Sequence, residues 1–212
     1  PINAAVYKLP FDPIKSFAPV AKLGSAPSVF VVHPSVPAKT VKEFIALAKQ
    51  KPGQLIWVTS GVGSNQHLGA ELFRMMAGID VKIVQFKGGG QALVDLLGGH
   101  SHATLSSIST VLPHIKSGKL KVLATAGKTR TALLPDAPTI EEAGLTGYEA
   151  TGWWGVLAPA GTPAPIVERL TKEIKQILGS DEVKKMFERE GSEAAYLPPA
   201  EFGAYIAREI AQ

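Results

Sequence analysis

The sequence predicts an α/β fold with a mainly parallel sheet, and three observations carry that prediction. Short apolar runs alternate with segments whose apolar residues recur at helical spacing, which is the pattern of βαβ units. Two capping boxes, Thr40-x-x-Glu43 and Thr139-x-x-Glu142, mark helix starts. Polar or Gly-rich turns stand where strand-like runs pass into helical ones: Thr59 to Ser64, Lys87 to Gly90 and Ser106 to Ser109.

Taken in order, Pro10-Phe11-Asp12-Pro13 is a turn-rich lead-in. Phe17 to Leu23 and Ser28 to Val32 read as strands split by Gly24 to Pro27. Behind Thr40, Val41, Phe44, Ile45 and Ala48 share one helical face, which ends near Pro52-Gly53. Leu55 to Val58 is a short strand. The helix after its turn carries Leu68, Leu72, Met75 and Met76 and stops at Gly78. Val81 to Phe86 is the next strand, and Gly88-Gly89-Gly90 opens a helix bearing Leu93, Leu96 and Leu97. Ala103 to Leu105 is a short buried strand, Val111 to Ile115 a helix with Pro113 near its start, and Leu120 to Thr125 a strand. Tyr148 to Leu157 is a long aromatic strand. Thr162 is placed to cap a helix with Pro163 at its first position and an apolar stripe of Ile166, Leu170, Ile174, Ile177 and Leu178. Two more helices are expected, at Asp181 to Glu190 and Ala200 to Ile210.

Composition narrows the function classes. With 212 residues, 45% hydrophobic and 19% charged, the chain can bury a core without staples. Cysteine is absent, which excludes disulfides, thiolate metal sites and a cysteine nucleophile. The net charge is +4 with scattered Lys and Arg, and the densest stretch, Lys116 to Lys121, has no interleaved aromatics, so nucleic acid is not an expected partner. No apolar run reaches membrane-spanning length, so no direct membrane insertion is expected. The chain opens at Pro1-Ile2-Asn3 without an initiator methionine or signal peptide, which reads as a processed chain or a fragment.

The Thr59 to Ser64 turn is the leading candidate site. A strand that breaks into a Gly/Ser turn and opens a helix points several N–H groups and a positive dipole end at one spot, which suits an oxyanion. Gly61 and Gly63 let the backbone approach, and Ser60 and Ser64 add hydroxyl donors. His67 either donates to a ligand or covers the turn. Lys87, beside Gly88, either neutralises a carboxylate or is solvated. Ser106, Ser107 and Ser109 either contact a ligand or cap a helix. Of Trp153 and Trp154, alternation lets one at most line a pocket, and Trp153 is taken as that one. His100-x-His102 reads as an exposed loop rather than a metal pair, so neither metal nor cofactor is expected. A dinucleotide fingerprint fails because Gln66 stands where a third glycine belongs and Asp80 precedes its strand; no Gly-Lys-Ser/Thr follows for a P-loop. There is no Gly-x-Ser-x-Gly elbow and no close carboxylate pair for catalysis.

Several stretches, taken together and in order, resemble one family. They include Leu9-Pro10-Phe11-Asp12-Pro13 with Phe17-Ala18-Pro19-Val20, then Thr59-Ser60-Gly61-Val62-Gly63-Ser64 with His67-Leu68, and Lys87-Gly88-Gly89. Asp95-Leu96-Leu97-Gly98-Gly99, Leu112-Pro113-His114-Ile115 and Pro135-Asp136-Ala137-Pro138-Thr139 belong to the set, as does Leu157-Ala158-Pro159-Ala160-Gly161-Thr162-Pro163. The chain resembles the Bug-type periplasmic solute-binding proteins of tripartite tricarboxylate transporters. That resemblance implies a two-lobe, type II Venus-flytrap fold. It places crossovers at 26–33 and 147–157, a second lobe at 34–146, and a first lobe from 1–25 plus 158–212 that is incomplete, because the family's N-terminal Pro-Phe-x-x-Gly-Gly segment has no counterpart. Ser106 stands where many members carry an acid.

By resemblance, the function is capture of a small carboxylate in the periplasm: a di- or tricarboxylate, an aromatic acid or an amino acid. The partners are membrane transporter subunits or a sensor kinase, and the protein is not an enzyme. The rival reading is a Rossmann-like enzyme acting on a phosphorylated small molecule.

Overall fold

A single strand, β1 (Phe17–Val32), takes the place of the two segments expected on either side of Gly24 to Pro27. In the computed structural model, which describes residues 8–211, Gly24 is no turn residue. A Cβ there would fall 2.6 Å from the Glu193 carbonyl oxygen, so glycine admits a neighbouring chain segment while the strand runs on. Residues 1–7 of the expected first lobe, with Pro1-Ile2-Asn3, and Gln212 lie outside the described residues.

The chain forms two compact units, 27–152 and 1–26 with 153–212. In the 27–152 unit the strands β2 (Ile56–Thr59), β3 (Lys82–Gln85), β4 (Ala103–Ser107) and β5 (Lys121–Thr125) join β1 in the order β3-β2-β4-β1-β5. β6 (Thr151–Pro159) also pairs with β1. β2 is parallel to β3 and β4, whereas β1 is antiparallel to β4 and β5. Four strands therefore share one direction, and β1 runs against them.

Helices cover both faces of this sheet. On one face, α1 (Val41–Gln50) and α2 (Asn65–Ala77) pack Phe44 and Phe73 against Phe30 and Trp57, with Tyr148 closing the cluster. On the other, α3 (Gly89–Leu97) and α4 (Ile108–Lys116) bury Ala92, Leu96, Ile108 and Val111 on Val29, Val31 and Val58. Thr40 caps α1, with the Glu43 carboxylate reaching Lys39 N–H rather than Thr40 N–H, whereas the Thr139 box closes on itself but opens only a turn and not the expected helix. Glu43 N–H donates to Thr40 Oγ1 at 3.2 Å, and Thr139 and Glu142 bond each other reciprocally at 3.0 and 2.9 Å. Tyr148 lies before β6 rather than in it; its buried hydroxyl donates to the Gly69 carbonyl, and burial raises its pKa.

His102 is not the exposed loop residue that the sequence suggested. Its Nδ1 accepts the Ile56 N–H at 2.9 Å, its own N–H donates to Ile56 O, and its carbonyl accepts the His33 N–H. The backbone of His102 thus ties the start of β2 to the end of β1, its ring adds a second bond to β2, and that ring must be neutral to accept. Partial burial, then the charges of His33 and Lys51, lower its pKa from the ordinary value of 6.5. The unfolded chain thus takes up this proton first as pH falls. The contribution of His102 is present above pH 6.5 and is lost as pH drops through the lower folded value. His102→Asn, whose carbonyl can accept the same N–H, is expected to flatten urea-unfolding stability between about pH 7 and 5 relative to wild type. An unchanged pH slope would refute the assignment.

The other unit contains α5 (Ala164–Gly179), α6 (Asp181–Arg189) and α7 (Pro199–Ala211). α5 starts one residue later than the sequence suggested: Pro163 is its cap, and Thr162 Oγ1 donates to Pro159 O instead of capping. Trp153 of β6 packs edge-on against Phe202 and Tyr205 of α7. Gly155 leaves room for the same helix, since a Cβ there would fall 2.1 Å from Phe202 Cζ. Gly155→Ala is expected to cost about 1–3 kcal/mol by overpacking, read as a lower urea midpoint. No loss would show that Phe202 moves aside freely.

Candidate functional site

Three helices begin at one edge of the 27–152 unit. β3, β2 and β4 are adjacent and parallel, so their carboxyl ends lie side by side, about 4.8 Å apart. Each strand passes directly into a helix: β2 into α2, β3 into α3 and β4 into α4. The chain steps from β2 out to β3, then crosses to β4 on the other side of β2. The carboxyl end of β2 is therefore the switch point, where an open α/β sheet offers a crevice.

The amides at this edge can be accounted for one by one. In the Thr59 to Ser64 turn, Gly63 N–H donates to His67 Nδ1 at 3.2 Å, and Ser64 N–H donates to Gly61 O at 3.2 Å. Ser64 Oγ caps α2 by accepting from His67 N–H at 3.1 Å. Among the described residues, the amides of Gly61, Val62, Asn65 and Gln66 have no partner. Gly61 and Gly63 hold φ of +130° and +72°, and a Cβ on Gly61 would sit 3.2 Å from the Phe86 carbonyl oxygen. The two neighbouring helices are less well capped. Gly88, with φ of +153°, has no side chain to cap α3. Ser107 faces α4 without a capping bond; its Oγ lies 2.6 Å from Thr110 Oγ1. Among the described residues the first-turn amides of both helices have no hydrogen-bond partner, and they carry the positive ends of the helix dipoles.

The expected site residues divide on this geometry. Ser60, Gly61, Gly63, Ser64, Gly88 and Ser107 lie at the edge, and Lys87 is exposed beside it, with no ion pair among the described residues. Ser106 is not in a turn. It lies within β4 opposite Val29 and is 6% exposed, because the strand runs directly into α4. Thr59 is likewise the last residue of β2, fully buried, with its hydroxyl unpartnered.

His67 covers the turn. With Nδ1 accepting from Gly63, Nε2 carries the proton and faces the Gln85 amide at 2.9 Å, so that amide must present its oxygen. Trp153 belongs to the other unit, where its Nε1–H already donates to Glu209 at 2.9 Å. Its ring and its donor are both engaged there.

Sequence reasoning missed Ser28, Asn65 and Gln66. Asn65 Nδ2 reaches Ser28 Oγ at 3.5 Å, and Gln66 Nε2 lies 3.8 Å from the point where a Gly89 Cβ would be. The signal for Asn65 and Gln66 was their place in the first turn behind the Ser64 cap. Ser28 could be found only from the pairing of β1. Among the described residues no group of three or more His, Asp or Glu is placed to hold a metal ion, and no helix is long and apolar enough to cross a membrane.

A family model described as "Tripartite tricarboxylate transporter family receptor" matches residues 3–212. BugT of Bordetella pertussis is 33% identical over 202 residues, covering 95% of this chain and 62% of that protein. An R. palustris protein solved with adipate superposes with a TM-score of 0.89 at 34% identity, covering 96% of this chain and 68% of that one. MatC from Rhodopseudomonas palustris, solved with bound malate, has a TM-score of 0.86 at 29% identity over 99% of this chain and 73% of its own. The chain thus spans less than two thirds of the length of BugT.

Proposed function

The chain belongs to the tripartite tricarboxylate transporter receptor family, and from that premise we propose that its 27–152 unit is a carboxylate-holding lobe of a periplasmic solute-binding protein. The observation that carries this reading is the row of three helix starts with unpaired amides at the sheet's switch point. A carboxylate only accepts hydrogen bonds, and the unpaired backbone amides of this edge only donate them. The amides of Gly61, Val62, Asn65 and Gln66 and the Ser60 hydroxyl take one end of the acid. The unpaired first-turn amides of α3 and α4, with Gly88 and Ser107, are available to its remaining oxygens. Each charge-assisted bond is worth about 1.5–3 kcal/mol.

In this reading His67 and Ser64 shape the turn, Thr59 and Ser106 support it from the strands, and Lys87 adds long-range attraction. Similar proteins solved with adipate and malate make dicarboxylates the first ligands to try. The protein binds without turnover or cofactor and delivers its ligand to transporter subunits in the membrane or to a sensor.

The test is an amide NMR titration of the chain with malate and with adipate. Saturable shifts are expected at Ser60 to Gln66, Gly88 to Gln91 and Ile108 to Thr110. The reading fails if neither acid moves these amides at millimolar concentration.

A further inference from the structure

Between the starts of α2 and α4 lies a neutral patch in which the carboxylate contacts leave the side chains of Ser28 and Asn65 unused. Ser28 of β1 stands directly opposite Ser107 of β4, and opposed residues of an antiparallel pair project from the same face. Ser28 is 7% exposed, and its Oγ accepts from Asn65, the first residue of α2, at 3.5 Å. Ser107, the cap of α4, lies with its hydroxyl 2.6 Å from that of Thr110. The strand register thus lines up an amide and three hydroxyls from one helix start to the other. No ion pair involves any of them among the described residues.

The two kinds of group at this edge suit different chemistry. A backbone N–H only donates, which matches a carboxylate. Ser hydroxyls and the Asn amide both donate and accept, which matches an alcohol that must do the same. The Asn65–Ser28 contact is at the outer limit of a hydrogen bond. An inserted hydroxyl can replace it with two shorter bonds, one from the Asn65 amide and one to a serine oxygen.

We propose that Asn65 and Ser28, with Ser107, read a hydroxyl group on the bound acid, so that this lobe selects hydroxy acids over their deoxy counterparts. This rests on the carboxylate reading above. A ligand without the hydroxyl desolvates these groups and leaves them poorly paired, and that mismatch is the source of the discrimination.

Malate and succinate differ by one hydroxyl and serve as the probes, with dissociation constants from amide shifts of the whole chain. Wild type is expected to bind malate about tenfold more tightly or better, the scale of one to two neutral hydrogen bonds. Asn65→Ala and Ser28→Ala are each expected to bring the ratio to within about threefold. The Asn65 side-chain NH2 resonances should move with malate and stay still with succinate. Equal wild-type affinities, or a ratio that survives in a folded variant, overturn the inference while leaving the carboxylate site standing. If neither acid shifts the edge amides, the carboxylate reading fails and takes the inference with it.

Discussion

Phe30→Ala is expected to destabilise the 27–152 unit by about 3–5 kcal/mol, the usual range for removing a fully buried phenylalanine. Phe30 has no solvent exposure and sits at the hub of the aromatic cluster. Its ring stacks on Trp57 at 4.5 Å, meets Phe44 edge-on at 5.0 Å and lies tilted against Phe73 at 5.1 Å. These partners come from β2, α1 and α2, so the cavity left by alanine is lined by three elements that cannot all close on it. Aromatic pairs add about 0.5–1.5 kcal/mol beyond burial, and this residue takes part in three. The loss should appear in urea unfolding followed by tryptophan fluorescence, since Trp57 reports directly on the cluster. A loss under about 1 kcal/mol would mean that the core repacks and that β1 does not anchor it.

Ser60→Asp is expected to weaken carboxylate binding by about 100-fold or more while leaving the fold intact. Ser60 is half-buried at the switch point, and its Cβ lies 3.9 Å from where a Gly89 Cβ would stand, so it adjoins the starts of both α2 and α3. Two like charges about 4 Å apart at a protein surface repel by about 4 kcal/mol. The new carboxylate would also compete for the amides that the ligand needs. A negative charge near helix N-termini favours the fold through the dipole, so the melting temperature should hold or rise. Loss of binding with retained stability separates a site effect from unfolding. Ser60→Ala, which removes only one hydroxyl, should cost about tenfold or less. Unchanged carboxylate affinity in Ser60→Asp would remove this turn from the site.

The class of the fold, the order of most of its elements and the turn at the carboxyl end of β2 were legible in the sequence, whereas the two strands read around Gly24 to Pro27 are one and Thr139 opens a turn instead of a helix. The legible features are local: helical periodicity, capping residues and glycines with positive φ each act within a few residues. Gly61, Gly63 and Ser64 could be read because their role is set by backbone conformation and capping close by. Ser106 was misplaced because an apolar-to-polar transition looks the same in a turn and at the end of a strand beside an uncapped helix. Thr162 lost its expected role for a similar reason: two prolines compete for the helix start. His67 and Trp153 were ambiguous because a polar ring can serve a ligand or a neighbour, and only packing puts Gly63 against one and Glu209 against the other.

The direction of β1 was decided by tertiary structure alone. A strand's own residues do not say whether its neighbour runs with or against it, nor in what register. That pairing sets Ser28 against Ser107 and brings Asn65 to Ser28, joining polar groups far apart in sequence into one patch. Contacts formed by strand register depend on the whole sheet, which is why the helix starts were visible in the chain and the groups between them were not.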